Sequence, residues 1–411
     1  MKKYMILAAV AALTLASCAK VETITSSVWD EDIPVGFSTY SPRSITKAGN
    51  TYTEDAALPS ASKIGVYGYS TPFVANTNET PHFLGTENPE FITNGEVSFS
   101  AASSTPTGAT DKRYWPKDLR SLLTFYAYYP YNDDVITSKP GATTAGLGSF
   151  AVTQKDKVEE MVDFMISDVQ NDMYFWDGEH ASTNVYGRKS EITGTTYGIV
   201  PLTLHHMMSN VNFFFKTNIP ADRATIKVKE ASIAGVLYNG TFTPTYTPLV
   251  SAPAATTTND AKKGTTAFGT AATGTAYATA VTIPIKSVEK VNNVDTDVNY
   301  ITLKTTPAAG AINYKDLAET KSYNNFLFIP QGLTDDVKVT IKYEITELGN
   351  TEEYTSTVKI KGVANDANNS IVEWKYNHKY NYIFTIGLHE ILFTGSVTEW
   401  TDGGTGNITV L

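Results

Sequence analysis

The chain has 411 residues, with 42 acidic against 32 basic side chains and a formal net charge of −10. That balance excludes nucleic acid held by phosphate contacts and a membrane surface held by charge alone. A single cysteine, Cys18, excludes disulfides within the chain and any cysteine metal site, while 24 Tyr, 18 Phe and only 18% charged residues favour a β-rich exterior protein.

The chain opens on a processing signal. Lys2 and Lys3 form a positive n-region, Tyr4 to Leu15 an apolar run too short to span a bilayer comfortably, and Leu15-Ala16-Ser17-Cys18 a lipobox. Residues 1–17 therefore read as a lipoprotein signal peptide and Cys18 as the lipidation site. Each buried methylene adds about 0.8 kcal/mol, so several acyl chains on Cys18 anchor stably where one is marginal. Residues 18–32, a Thr/Ser/Asp/Glu mixture, read as a lipidated tether.

From residue 33 the pattern is of short strands. Ile33 to Tyr40 is the first, followed by Pro42-Arg43-Ser44 and a polar stretch to Pro59. Strand signals recur at Lys63 to Tyr69, Glu96 to Ser100, Leu122 to Tyr129, Asp163 to Ser167 and Ile199 to Leu204, separated by Gly/Pro/Asn/Asp/Ser clusters. The rhythm restarts with Val211 to Lys216 and Thr225 to Val236. It continues through Ala280 to Ile285, Asn325 to Ile329, Val337 to Ile345, Thr355 to Ile360, Tyr380 to Leu388 and Ile391 to Val397. Val337, Val339 and Ile341 alternate with Lys338, Thr340 and Lys342, which predicts a strand with one solvated face. No amphipathic helix of three turns is visible. The expectation is an all-β chain of two sandwich domains, 33–204 and 205–411. Residues 252–280, mostly Ala, Thr and Gly, are expected to form a flexible insertion that adds little core.

Candidate chemistry is sparse. His205 and His206 are adjacent, so on a strand they face opposite ways and do not readily share an ion. Acidic clusters lie at Asp30-Glu31-Asp32 in the tether and at Asp163, Asp168 and Asp172 flanking one strand; they are a weak basis for glycoside hydrolysis. No GxSxG elbow, P-loop or dinucleotide fingerprint is present. The expectation is a protein without catalytic residues, cofactor or metal. Tyr114-Trp115-Pro116 and Phe125 to Pro130 offer a second reading, in which exposed aromatics of a surface lipoprotein bind glycans.

In order along the chain, several segments resemble the fimbrillin-like proteins of Bacteroidales, the FimA/Mfa-type pilus subunits. They are the lipobox at Cys18, Lys63-Ile64-Gly65-Val66-Tyr67, Tyr114-Trp115-Pro116, Leu123 to Pro130, Val162 to Ser167, Leu202 to Met207, Phe328-Ile329-Pro330-Gln331, and the run from Trp374 to Trp400. The resemblance implies two tandem transthyretin-like, Greek-key β-sandwiches and a precursor that reaches the outer membrane by its lipid. It also implies a trypsin-like cut after an arginine behind the first strand, for which Arg43 stands in position. Loss of that strand leaves a groove that a strand of another pilus subunit fills, a form of β-augmentation. Asn407 to Leu411 alternate well enough to be a donated strand or the last strand of their own domain. Other pilus subunits, the outer membrane, and host or bacterial surface ligands are the implied partners. Stalk, tip and anchor roles all remain open.

Overall fold

Period-two alternation dominates the sequence, and strands dominate the fold. The computed structural model describes residues 33–40, 44–45, 52–53, 58, 61–72, 83–100, 103–106, 112–116, 121–174, 188–189, 191–193, 196–248, 264–272, 274–285, 287–291, 294–303, 325–364, 370–388 and 391–399. Among these the only helical element is a 3₁₀ turn, Val158–Glu160, and no helix is long and apolar enough to cross a membrane. The all-β expectation therefore holds.

The strands of the first half are β1 (Gly36–Tyr40), β2 (Lys63–Pro72), β3 (Ile92–Ser100), β4 (Ser103–Pro106), β5 (Ser121–Tyr129), β6 (Ile136–Ser138), β7 (Phe150–Thr153), β8 (Met165–Ser167), β9 (Gln170–Tyr174) and β10 (Thr196–His206). Seven of them form one sheet in the order β1-β10-β8-β5-β2-β3-β4, with β9 also paired to β5. The remaining strands of interest begin with β11 (Ser209–Thr217), β12 (Ala224–Ala234), β13 (Asn239–Thr247), β14 (Thr265–Ala272), β15 (Val281–Ile283) and β16 (Ile301–Thr302). They end with β17 (Phe326–Phe328), β18 (Lys338–Glu347), β19 (Asn350–Lys359), β20 (His378–Ile386) and β21 (Ile391–Glu399). These make the sheets β17-β11-β20-β21 and β15-β12-β18-β19, with β16 on β12. A further sheet, β14-β13-β7-β6, joins strands from both halves of the chain.

Two apolar cores result. The smaller holds Val35, Phe37, Ile64, Val66, Trp115, Phe125, Val200 and Leu202. The larger runs through both halves, from Tyr67, Tyr126, Tyr128 and Phe164 to Phe213, Val228, Val339 and Tyr382. Strand β5 lies between them and is buried on both faces, Leu123, Phe125 and Ala127 toward one core and Tyr126 and Tyr128 toward the other. That explains its near-continuous apolar run. Gly65 serves the same junction: a Cβ there would sit 2.1 Å from the Tyr128 ring, so only glycine lets β2 and β5 close over it.

The expected insertion at 252–280 needs correction over its second part. Thr265–Ala272 is a strand that pairs with β13 over eight positions, Thr247↔Thr265 to Gly240↔Ala272. Thr266, Phe268 and Thr270 are half-buried and alternate with exposed Thr265, Ala267 and Gly269. The composition hid this because Phe268 is its only large apolar residue. Thr suits a pleated surface, and the ladder to β13 replaces the missing side-chain burial.

Candidate functional site

The smaller core is closed by β1. Residues just before it bond to the 113–115 segment: Val35 N–H donates to Arg113 O at 2.8 Å and Trp115 N–H to Ile33 O at 2.9 Å. The chain then runs parallel to β10, from Gly36↔Ile199 to Tyr40↔Thr203. Alternation sorts its side chains. Val35, Phe37 and Thr39 point inward at 8%, 2% and 7% exposure, while Gly36 and Ser38 are half-exposed. Phe37 meets Phe125 edge to face, with ring centroids 5.3 Å apart. Val200, Leu202 and Phe125 share this core with it.

Trp115 ends the groove. Its indole N–H donates to Gly198 O at 2.9 Å, and its ring packs against Phe125 at 6.1 Å. Gly198 has φ +75°, and a Cβ there would lie 2.6 Å from the indole nitrogen. Glycine is thus required both by the left-handed backbone and by the tryptophan. Strand β1 is accordingly an edge strand held by five parallel registers and a short apolar wedge. Parallel pairing is the weaker kind per residue.

Cys18, Arg43 and Asn407 to Leu411 lie outside the described residues. The histidines form two separate pairs. His206 Nδ1 is 2.8 Å from Asp163 Oδ2 in the interior, and His205 Nε2 is 3.1 Å from Asp168 Oδ1 on the other face of β10. The third carboxylate, Asp172, accepts Phe83 N–H at 2.8 Å and the Asn171 amide at 2.9 Å. All three aspartates are thereby held in structural contacts. Among the described residues no group of three or more His, Cys, Asp or Glu is placed to hold a metal ion.

The aromatic segment does not form the exposed surface that glycan binding requires. Phe125, Tyr126 and Tyr128 are fully buried and Trp115 nearly so; Tyr114 alone is exposed. The tyrosine hydroxyls are turned into the fold: Tyr126 donates to Leu147 O at 2.5 Å, Tyr67 to Pro140 O at 3.0 Å and Tyr128 to Asn94 Oδ1 at 2.7 Å. Burial pushes the Tyr128 phenol up to about 12. Burial on both faces of β5 is the physical reason, and alternation alone could not reveal it. Sequence reasoning also missed the Trp115–Gly198 contact, which carries no local signal.

Stacked sheets around two apolar cores, one of them closed by the edge strand β1, define an all-β fold. The family model described as fimbrillin-like matches residues 46–400, and the chain belongs to that family. It is therefore a protein of the fimbrial type. None of the curated proteins matches it. Among solved structures it is similar to a candidate cell adhesion protein from Bacteroides uniformis ATCC 8492, at 14% identity over 90% of this chain and 99% of that one, TM-score 0.40. A second, from Bacteroides ovatus ATCC 8483, has 14% identity over 90% and 98%, TM-score 0.38. The fimbrial anchor protein Mfa2 from Porphyromonas gingivalis has 12% identity over 89% and 98%, TM-score 0.26.

Proposed function

We propose that the chain is a fimbrial subunit, exported as a precursor lipidated at Cys18 and assembled by strand exchange after cleavage at Arg43. The observation that supports this is the seating of β1: a short parallel edge strand whose Val35, Phe37 and Thr39 plug an apolar groove. Arg43 follows Tyr40 by three residues in a Pro/Ser-flanked segment. A cut there separates β1 from the rest of the fold and leaves only noncovalent contacts to keep it. Burial of Val35 and Phe37 contributes about 1.5–3 kcal/mol each, enough to hold a tethered strand and little enough to be exchanged. A donor strand from another subunit restores the backbone ladder and the apolar contacts together. The acyl chains on Cys18 hold the precursor at the outer membrane until the cut frees the body of the protein. No catalytic residue or cofactor is needed for this role.

The test is limited digestion of the purified, unlipidated protein with an arginine-specific protease, followed by N-terminal sequencing and electron microscopy. The expected result is a single cut after Arg43 followed by ladders resistant to SDS, or by filaments. Resistance at Arg43, or a cut chain that retains residues 33–40 and remains monomeric with donor-strand peptides present, would remove strand exchange as the mechanism.

A further inference from the structure

The sheet β15-β12-β18-β19 ends differently on its two sides. On one side β12 is covered, among the described residues, only by β15, three residues long, and β16, two residues long. Between them Ser287–Val291 and Val294–Val298 pair into a separate hairpin. Such an edge is short and interrupted, as edges protected from pairing usually are. On the other side β19 runs ten residues in unbroken register with β18, from Glu347↔Asn350 to Lys338↔Lys359. It has neither proline nor bulge, and among the described residues no strand lies beyond it.

The register fixes which backbone groups of β19 are free. The two-residue turn Leu348-Gly349 makes Glu347 and Asn350 a hydrogen-bonded pair. Thr346 and Thr351, and Thr340 and Thr357, meet hydroxyl to hydroxyl at 2.9 and 3.0 Å, as the intervening non-hydrogen-bonded pairs should. Residues 351, 353, 355, 357 and 359 therefore aim N–H and C=O outward, along a row that no strand among the described residues pairs with.

We propose that β19 is a pairing edge for a second copy of this chain, joined antiparallel about a two-fold axis at Ser356. A two-fold perpendicular to the sheet keeps like faces together, so the axis passes through a residue. Centred on Ser356, Glu353 meets Lys359 of the partner subunit, Tyr354 meets the partner's Val358, and Thr355 meets the partner's Thr357, each contact occurring twice. Opposite charges, an aromatic against a branched residue, and paired threonines are the combinations that stabilise cross-strand neighbours. Centring on Thr355 sets Glu352 against Val358 and Lys359 against Thr351. Centring on Tyr354 carries Lys359 past the strand end to Gly349. Only the Ser356 register matches the charges.

Exposure agrees with it. Glu353, Thr355, Thr357 and Lys359 are exposed on the outer face, and Tyr354, Ser356 and Val358 are half-buried on the inner one. The joined sheet would thus continue both faces unchanged. Lys359 now lies 3.0 Å from Asp335 Oδ2, and Lys361 lies 3.6 Å from Oδ1 of the same carboxylate. Lys361 can keep Asp335 paired when Lys359 turns to the partner. A seven-residue edge contact is small beside the roughly 1,600 Å² of a standard interface, so this association is weak and concentration-dependent.

The test uses full-length protein carrying Cys18→Ala, in which an introduced thiol is the only one. Cysteine at the axis, Ser356→Cys, falls in a non-hydrogen-bonded pair with Cα atoms about 4.5 Å apart, within disulfide reach. Thr355→Cys meets its own copy two residues off the pair, beyond the ~7 Å limit. Mild oxidation read on non-reducing gels should link Ser356→Cys at least about tenfold faster than Thr355→Cys. Adding Glu353→Lys creates two like-charge pairs and slows linkage about tenfold, and adding Lys359→Glu as well restores it. Equal linkage at both positions, no linkage at Ser356 at high protein concentration, or indifference to the charge reversal would each overturn the proposal.

Discussion

Phe37→Ala tests how β1 is held. The ring is 2% exposed and packs edge to face on Phe125. Truncating a core phenylalanine costs about 3–5 kcal/mol when the surroundings cannot collapse. A short edge strand offers another response: it can detach while the sheet behind it stays folded. The loss should then fall on strand docking and raise the open population of β1 by about two to three and a half orders of magnitude. Native-state hydrogen exchange reads this directly. Amides of residues 36–40 and their partners in 199–203 should speed up by that factor, while amides of β5, buried on both faces, should change little. If the β5 amides accelerate together with those of β1, the strand is an integral part of the cooperative core. A releasable-strand account then fails.

Gly65→Ala drives a methyl group into the Tyr128 ring and should destabilise the fold by about 1–3 kcal/mol, seen as a lower urea midpoint; an unchanged midpoint would mean the ring moves aside freely. Leu348 has φ +49° and 96% exposure at the tip of the β18–β19 hairpin, so Leu348→Asn should stabilise by roughly 1 kcal/mol in thermal unfolding, and a loss would contradict the turn assignment. Burial lifts the phenols of Tyr128 and Tyr380 from 10.0 to about 12. The folded chain therefore keeps protons that the unfolded chain releases, so stability is intact below pH 10 and falls as pH rises from 10 to 12. A urea midpoint that stays level across that window would rule out this burial.

Local signals served well where a strand carries its own alternation. The stretches Lys63 to Tyr69, Leu122 to Tyr129, Thr225 to Val236 and Val337 to Ile345 all lie within or along observed strands. Strands β6, β7 and β13 were missed because they are short or rich in Thr and Pro. Their partners lie far along the chain, as with Phe150 against Phe242. The His205-His206 reading was sound in one respect, since the two rings face opposite sides. Their aspartate partners depend on the β8–β10 register. The groove itself was legible only as a first strand with alternating Val35, Phe37 and Thr39. That it lies parallel to β10, and that Trp115 and Gly198 end its groove, are non-local facts. The destination of Tyr126 and Tyr128 was hidden for the same reason, because a strand between two cores has no outside.

The pairing of β1 with β10 also sets an order in time. Its contacts join residues roughly 160 positions apart, a separation that slows closure. Since the chain is made from its N-terminus, β1 emerges long before the strand that will receive it. During that interval Val35 and Phe37 have no groove to enter, and the sheet that supplies one must form from later residues. The first strand to be synthesised among the described residues is thus among the last to be seated, and newly made protein passes through a stage with the groove open.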